Sequence, residues 1–437
     1  MNSVLLLDAE IVKLSQVCKA WRKRILETGI MRKRLEKLEE SQSEQDSRRI
    51  LASEFDTVDD ILVFCYTKLV ERSGIVYGWG SNWQGEITDQ PQCSMCGSNV
   101  VHRCTQSQPR FFTFELKKLG TVTNIHAGYH TSFVVKDAKL FAVGYNEFSQ
   151  LGLGAGQPDE VLSPAKVELP PIRSAVNFGF SSFAIDTSGR LLSWGDNRFG
   201  QLGRKTQGSE DATPQRIDSL KKYKIKQVAG GHCHVCCLTT DGEVFIWGIK
   251  DSVGRLGSDI KIPSKLNVGK MSQIACGDGH TLLLSEDKKT IWAFGHNYSG
   301  QLGHDPELKF AETPVKVPFS GDKVIVKLQC IVDNSATLSE DGEIRIWGRA
   351  WNDRNPNSMR RFRINQAVDI AIGGCFMLVL TAENQLYAFG KNDCGQCGNE
   401  STREFIERPV QVRNLDNLRI KQISAGYDHC LIKCVKI

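Results

Sequence analysis

No apolar run in this sequence approaches the roughly 20 residues that a membrane-spanning helix needs. The early run Val4–Leu7 is broken by Asp8 and Glu10 and has no basic flank, so neither an anchor nor a secretory leader is expected. Without a leader, the 15 cysteines are read as reduced thiols rather than a disulfide framework, which points to an intracellular, cytoplasmic or nuclear protein. The glycine-rich stretches lack the Lys-Ser/Thr pair and following helix of a phosphate-binding loop. No nucleophile, base and orienting group recur together, so no catalytic residue is assigned and no cofactor is expected. Net basic charge is also confined to one segment. Residues 19–37 hold eight Lys or Arg against Glu27 and Glu36, while the whole 437-residue chain carries only +5. Attraction to nucleic acid or chromatin would therefore have to come from the N-terminus, unless that run is simply a solvated helix face.

What the sequence does have is a repeat. Seven short apolar runs end in glycine, at Gly80, Gly144, Gly195, Gly248, Gly295, Gly348 and Gly390, with spacings of 64, 51, 53, 47, 53 and 42 residues. That period suits a four-stranded propeller blade. A second block precedes most of them, as in AGYHTSFVV (127–135), AGGHCHVCCL (229–238), CGDGHTLLL (276–284) and AGYDHCLI (425–432). Turn pairs such as Asp241-Gly242 and Asp341-Gly342 lie between the two blocks, so each unit contains a hairpin. A third block, as in GDNRFGQLG (195–203) and GHNYSGQLG (295–303), combines Gly and Asn, which tolerate positive φ, and predicts a tight reproducible loop.

The pattern is broken at its two ends in complementary ways. IVYGWG (75–80) has no preceding AGxxH strand, and AGYDHCLI has no following Trp-Gly strand. Pairing the two halves would close a ring and leave no open sheet edge. His130, His232, His280 and His429 are read as one repeat position that links blades by hydrogen bonds, because a catalytic group need occur only once.

WGxNxxGQLG preceded by AGxxHT resembles the regulator-of-chromosome-condensation repeat family over residues 75–437. The resemblance implies an all-β, seven-bladed propeller closed by its terminal strands, here a monomeric ring over 73–437. It also implies either an interaction scaffold in small-GTPase regulation or a guanine-nucleotide exchange factor for a Ran-like GTPase. The β-wedge insertion of the exchange factor has no counterpart after Gly195 or Gly248, and the Gly-Trp-Arg-His-Thr motifs of the family's plant light receptor are absent.

Three irregular segments are the candidate functional sites. Cys93, Cys96, His102 and Cys104 have zinc-compatible ligand types, against the alternative of a plain reduced-cysteine loop. In unit six, Trp351, Arg360, Arg361, Phe362 and Arg363 supply the aromatic and arginine chemistry of protein interfaces, against the alternative of blade decay. Within 1–72, Ile11, Leu14, Val17, Cys18, Trp21 and Ile25 repeat at helical spacing, and a charged linker (36–49) and a helix near 54–72 follow. LSQVCKAWRKRI (14–25), with Trp21 and Arg22, resembles the closing helix of an F-box. That resemblance implies docking to a Skp-type adaptor of a cullin ubiquitin ligase.

Overall fold

The computed structural model describes residues 75–80, 112–113, 121–249, 260–305, 307–321, 323–349, 359–398, 403–413 and 415–436. The chain divides into two units, Met1–Arg72 and Ser73–Ile437, and the described residues all belong to the second. Trp21, Arg22, the two segments read as helices, the Cys93, Cys96, His102 and Cys104 set and Trp351 lie outside the described residues. Among those described, no helix is long and apolar enough to cross a membrane.

Seven four-stranded antiparallel sheets form the described structure. Blades 1 to 6 begin at the inner strands Val122–Ala127, Ile172–Phe178, Ile225–Gly230, Met271–Cys276, Ile325–Ile331 and Ala367–Ile372. Each inner strand packs against the next, and Leu418–Ala425 of blade 7 packs back onto Val122–Ala127, so the sheets form a closed ring. Blade 7 is the predicted clasp. Its inner strands Leu418–Ala425 and His429–Lys436 are completed by Ile75–Gly80 and Phe112–Thr113. Ile75 pairs with Cys434 and Gly80 with His429 in unbroken register.

The second strand of most blades is buried along its whole length, as in Thr131–Lys136, His234–Thr239 and Phe376–Thr381, because both its faces meet neighbouring blades. These strands therefore depart from the alternation expected of a sheet with one wet face. The outermost strands, such as Glu210–Arg216, stay largely in solvent.

Blades are joined by the repeat motifs themselves. The indole Nε1 of Trp79, Trp194, Trp247 and Trp347 donates to the carbonyl oxygen of Gln396, Gln150, Gln201 and Gln301 in the preceding blade, at 3.0, 2.8, 2.7 and 2.9 Å. Within the loop, Asn197 Oδ1 accepts from Leu202 N at 2.9 Å and Gln201 Oε1 from Phe199 N at 2.8 Å, so both amides hold the turn. Gly248 lies at φ +122°, where a Cβ would collide with the Cys233 carbonyl oxygen; only glycine fits opposite the turn.

The inner strands enclose a channel of about 560 Å³. Its glutamines are already engaged. Gln227 exchanges two hydrogen bonds with Ile274 of the next blade (2.7 and 3.2 Å), and Gln422 does the same with Ile125 (3.0 and 3.3 Å). These side chains extend the ladder across blade boundaries and make the channel wall structural.

Candidate partner-binding face

At one end of the ring the turns between first and second strands come together. Several of them are joined by backbone bonds: Asp278 N to Val332 O at 2.8 Å, Gly374 N to Tyr427 O at 2.9 Å and Tyr427 N to Gly128 O at 3.2 Å. Side chains carried here sit on a rigid rim.

Five of them are aromatic rings from three blades. Tyr129 lies 4.6 Å from Tyr427 and 6.2 Å from Phe180, and Phe148 stacks at 4.5 Å on Phe180. Tyr145 stands 6.0 Å from Phe180. His130 meets Tyr129 edge-on at 4.7 Å, and His232 approaches Phe180 at 5.8 Å. The Arg198 guanidinium covers Phe148 at 4.6 Å while bonded to Asp196 at 2.9 Å. All five rings are half-buried, so one side of the cluster faces solvent.

Charge lies beside it. Burial raises the Asp278 carboxyl above its ordinary range, and Asp333 adds to this while His232 opposes it. Burial also raises Asp428, against the pull of Lys391, which contacts Asp428 at 3.4 Å and Asp393 at 3.0 Å. The Tyr129 phenol is pushed up by burial and then by Tyr427 and Asp278, so it remains a hydrogen-bond donor. Burial, with nearby carboxylates, lifts the Cys233 thiol to about 11 and Cys394 to about 12, which keeps both protonated and unreactive. The face offers contact surface and charge.

The histidine reading needs correction. His280 and His429 share one repeat position, opening the second strand, but His130 and His232 do not. In blade 3 that position is His234, because Gly231 N bonds to the His234 carbonyl as Gly277 N bonds to His280; in blade 1 it is Thr131. The blade-linking bonds run from His234 to Thr281 (2.9 Å), His280 to Ser335 (2.8 Å) and His429 to Ser132 (3.0 Å). His130 and His232 sit earlier in their turns, on the aromatic face.

The unit-six candidates separate. Phe362 turns inward and meets Phe389 of blade 6 edge-on at 4.9 Å. Arg361 and Arg363 are exposed on the outermost strand, and Arg363 pairs with Asp341 at 2.7 Å. Arg360 is half-buried on the same strand. The aromatic face was not anticipated. Its residues fall at turns and at the end of the strand Lys139–Tyr145, scattered over several repeats, and only superposing the repeats as blades would bring them together. Among the described residues, no three His, Cys, Asp or Glu side chains converge as metal ligands.

Comparison with known proteins places this arrangement in context. A family profile described as the RCC1-like domain matches residues 168–432. The human E3 ubiquitin-protein ligase HERC2 is 28% identical over 384 residues, which is 82% of this chain and 8% of that protein. The cattle (Bos taurus) secretion-regulating guanine nucleotide exchange factor is 25% identical over 278 residues, 58% of this chain and 60% of the relative. The chain thus spans only a part of each relative's length. The crystal structure of human WBSCR16 superposes with a TM-score of 0.70 at 22% identity, over 84% of this chain and 100% of that one, a likeness of fold.

Proposed function

The chain belongs to the RCC1-like domain family, and from that premise we propose that it is a non-enzymatic interaction ring that docks a protein partner, a small GTPase, on its aromatic face. The observation that carries this reading is the cluster of Tyr129, Tyr145, Phe148, Phe180 and Tyr427, five half-buried rings held at one rim. Large rigid aromatics beside arginine are the composition of binding hot spots. The engaged glutamines of the channel and the protonated thiols support a role without covalent chemistry. The partner class is supported by a relative named as a guanine nucleotide exchange factor. That name also favours nucleotide exchange as the second reading. Arg361 and Arg363, exposed on blade 5, are carried as an additional contact.

The test uses a panel of purified small GTPases, measuring binding to the full chain and release of labelled GDP. Saturable binding to one of them, weakened at least tenfold by Phe148→Ala or Tyr427→Ala with no faster release, is the expected result. Accelerated release would replace the scaffold reading with exchange. Binding indifferent to both substitutions would remove the aromatic face from the proposal.

A further inference from the structure

Every inner strand contains one β-bulge at the same level of the ring. The pairing slips between Val122 and Asn124, Ile172 and Ser174, Ile225 and Gln227, Met271 and Gln273, Ile325 and Lys327, Ala367 and Asp369, and Ile420 and Gln422. A bulge leaves its extra residue unpaired and re-aims that side chain. Here the bulges lie near the end where each inner strand starts, as with Ile325 opposite Ser339, while Ile331 opposite Asn334 marks the aromatic end. The extra residues therefore form a rim around the opposite mouth of the channel.

Going around that rim, Lys421, Thr123, Arg173 and Lys226 are exposed over four consecutive blades. The other side is formed by half-buried Ser272 and then by Val326 and Val368, which are 40% and 51% exposed. One arc is basic and the facing arc is apolar.

The basic arc is held in place without being neutralised. Arg173 Nη2 donates to the carbonyl oxygens of Ile225 and Lys226 at 2.7 and 3.2 Å, and Lys226 Nζ donates to Ser272 O at 2.8 Å. Lys433 Nζ, beside the rim, donates to Thr123 O at 3.1 Å. Burial lowers the Lys433 ammonium below its ordinary range, and the like charge of Lys421 lowers it further. Among the described residues, no carboxylate pairs with Arg173, Lys226, Lys421 or Lys433. Clustered cations without counter-charges at the mouth of a cavity attract and orient an anionic partner.

We propose that this rim is a second docking site, on the face opposite the aromatic cluster, for a short acidic protein segment that carries an apolar side chain beside its carboxylates. Val326 and Val368 give that apolar side chain a place that a phosphate backbone would not use. Asp241, Glu340 and Glu383, exposed on the hairpin turns of blades 3, 5 and 6 at the same end, would repel an extended polyanion but leave the rim open to a short one. The site does not depend on what the aromatic face binds.

The experiment pans a phage-displayed library of random 16-residue peptides on the full chain, after subtraction on the double variant Lys226→Glu/Lys421→Glu. Subtraction removes peptides that bind elsewhere, including on the aromatic face. Recovered peptides are expected to combine several Asp or Glu with one or two Leu, Ile, Val or Phe. Fluorescence polarisation of a synthetic recovered peptide should show at least tenfold weaker binding to the double variant. Binding should weaken severalfold for Val326→Ser/Val368→Ser and by less than twofold for Phe148→Ala. Melting temperatures monitor folding. If the charge-reversed variant is unfolded, Lys226→Gln/Lys421→Gln serves for both steps, with about a threefold loss expected. Recovery of no peptides, or of peptides without acidic residues, overturns the proposal. So does tighter binding of a dT20 oligonucleotide through the same two lysines, which would make the rim a nucleic-acid site.

Discussion

Trp247 of blade 3 donates its indole N–H to the Gln201 carbonyl of blade 2 at 2.7 Å, and Gly203 lies directly against that ring. The contact joins two of the three sequence blocks across a blade boundary. A Cβ on Gly203 would stand 2.8 Å from Trp247 Nε1, and the glycine's φ of +67° disfavours other residues independently. Gly203→Ala should therefore cost about 1–2 kcal/mol for the backbone and about 1–3 kcal/mol for overpacking. Trp247→Phe, which leaves the Gln201 carbonyl buried and unpaired, should cost about 1–3 kcal/mol. Chemical unfolding of both variants measures the two costs; wild-type stability in either would mean that this junction does not hold the blades.

Val76 of the first strand is 1% exposed and packs with Val134, Val143 and Leu431, so the blade 7 clasp has its own apolar contacts beyond its backbone ladder. Val76→Asp buries a charge there with no partner. A loss of roughly 4 kcal/mol or more is expected, with the open edge of His429–Lys436 promoting self-association. Equilibrium unfolding and size-exclusion chromatography report the two effects. A soluble variant with wild-type stability would show that the ring does not depend on this strand.

His280 is fully buried, and its tautomer follows from its neighbours. Ser335 Oγ donates to Gln301 O at 2.8 Å, so its hydroxyl proton is committed and His280 Nε2–H must be the donor across the 2.8 Å contact between them. Burial first, then His234 and His296, brings the imidazole down to about 3, well below its ordinary value. Because the folded value is the lower one, the unfolded chain binds the extra proton. The stabilisation is complete above about pH 6.5 and is lost progressively as the pH falls towards 3. His280→Gln should flatten the fall in unfolding free energy between pH 6.5 and 4 by up to one proton's slope. Urea unfolding at a series of pH values tests this, and parallel curves for the two proteins would contradict it.

The parts of this molecule that were legible in the sequence are those where backbone geometry restricts residue choice. Gly248 and Gly203 must be glycine, and the Asn197 and Gln201 amides must close the same loop, so blade number, hairpins and the split blade could all be read from spacing. The histidines show where such reading stops. In GGHCHV, His232 and His234 alternate on a strand pattern, and only the bond from Gly231 N to His234 O decides which one links blades. The aromatic face arises from turn and strand-end residues whose proximity is created by the ring. The bulge rim has no sequence signature, since the same backbone slip presents Thr123, Arg173 and Val326 alike.

Blade 5 offers a direct separation of packing from contact chemistry within one four-residue strand. Phe362 packs edge-on against Phe389 of blade 6, whereas the Arg363–Asp341 pair is exposed on both sides, at 57% and 38%. Phe362→Ala should lower stability by about 2 kcal/mol, less than for a fully buried ring because Phe362 is only half-buried. Arg363→Ala should cost no more than about 1 kcal/mol, since water screens an exposed pair. Arg361→Glu/Arg363→Glu should leave the unfolding midpoint close to wild type yet change the affinity of any partner that uses the outer edge of this blade. Melting curves set beside binding curves decide the matter. An arginine variant that loses stability while Phe362→Ala does not would reverse the two roles, making the arginines part of the packing and the phenylalanine the contact.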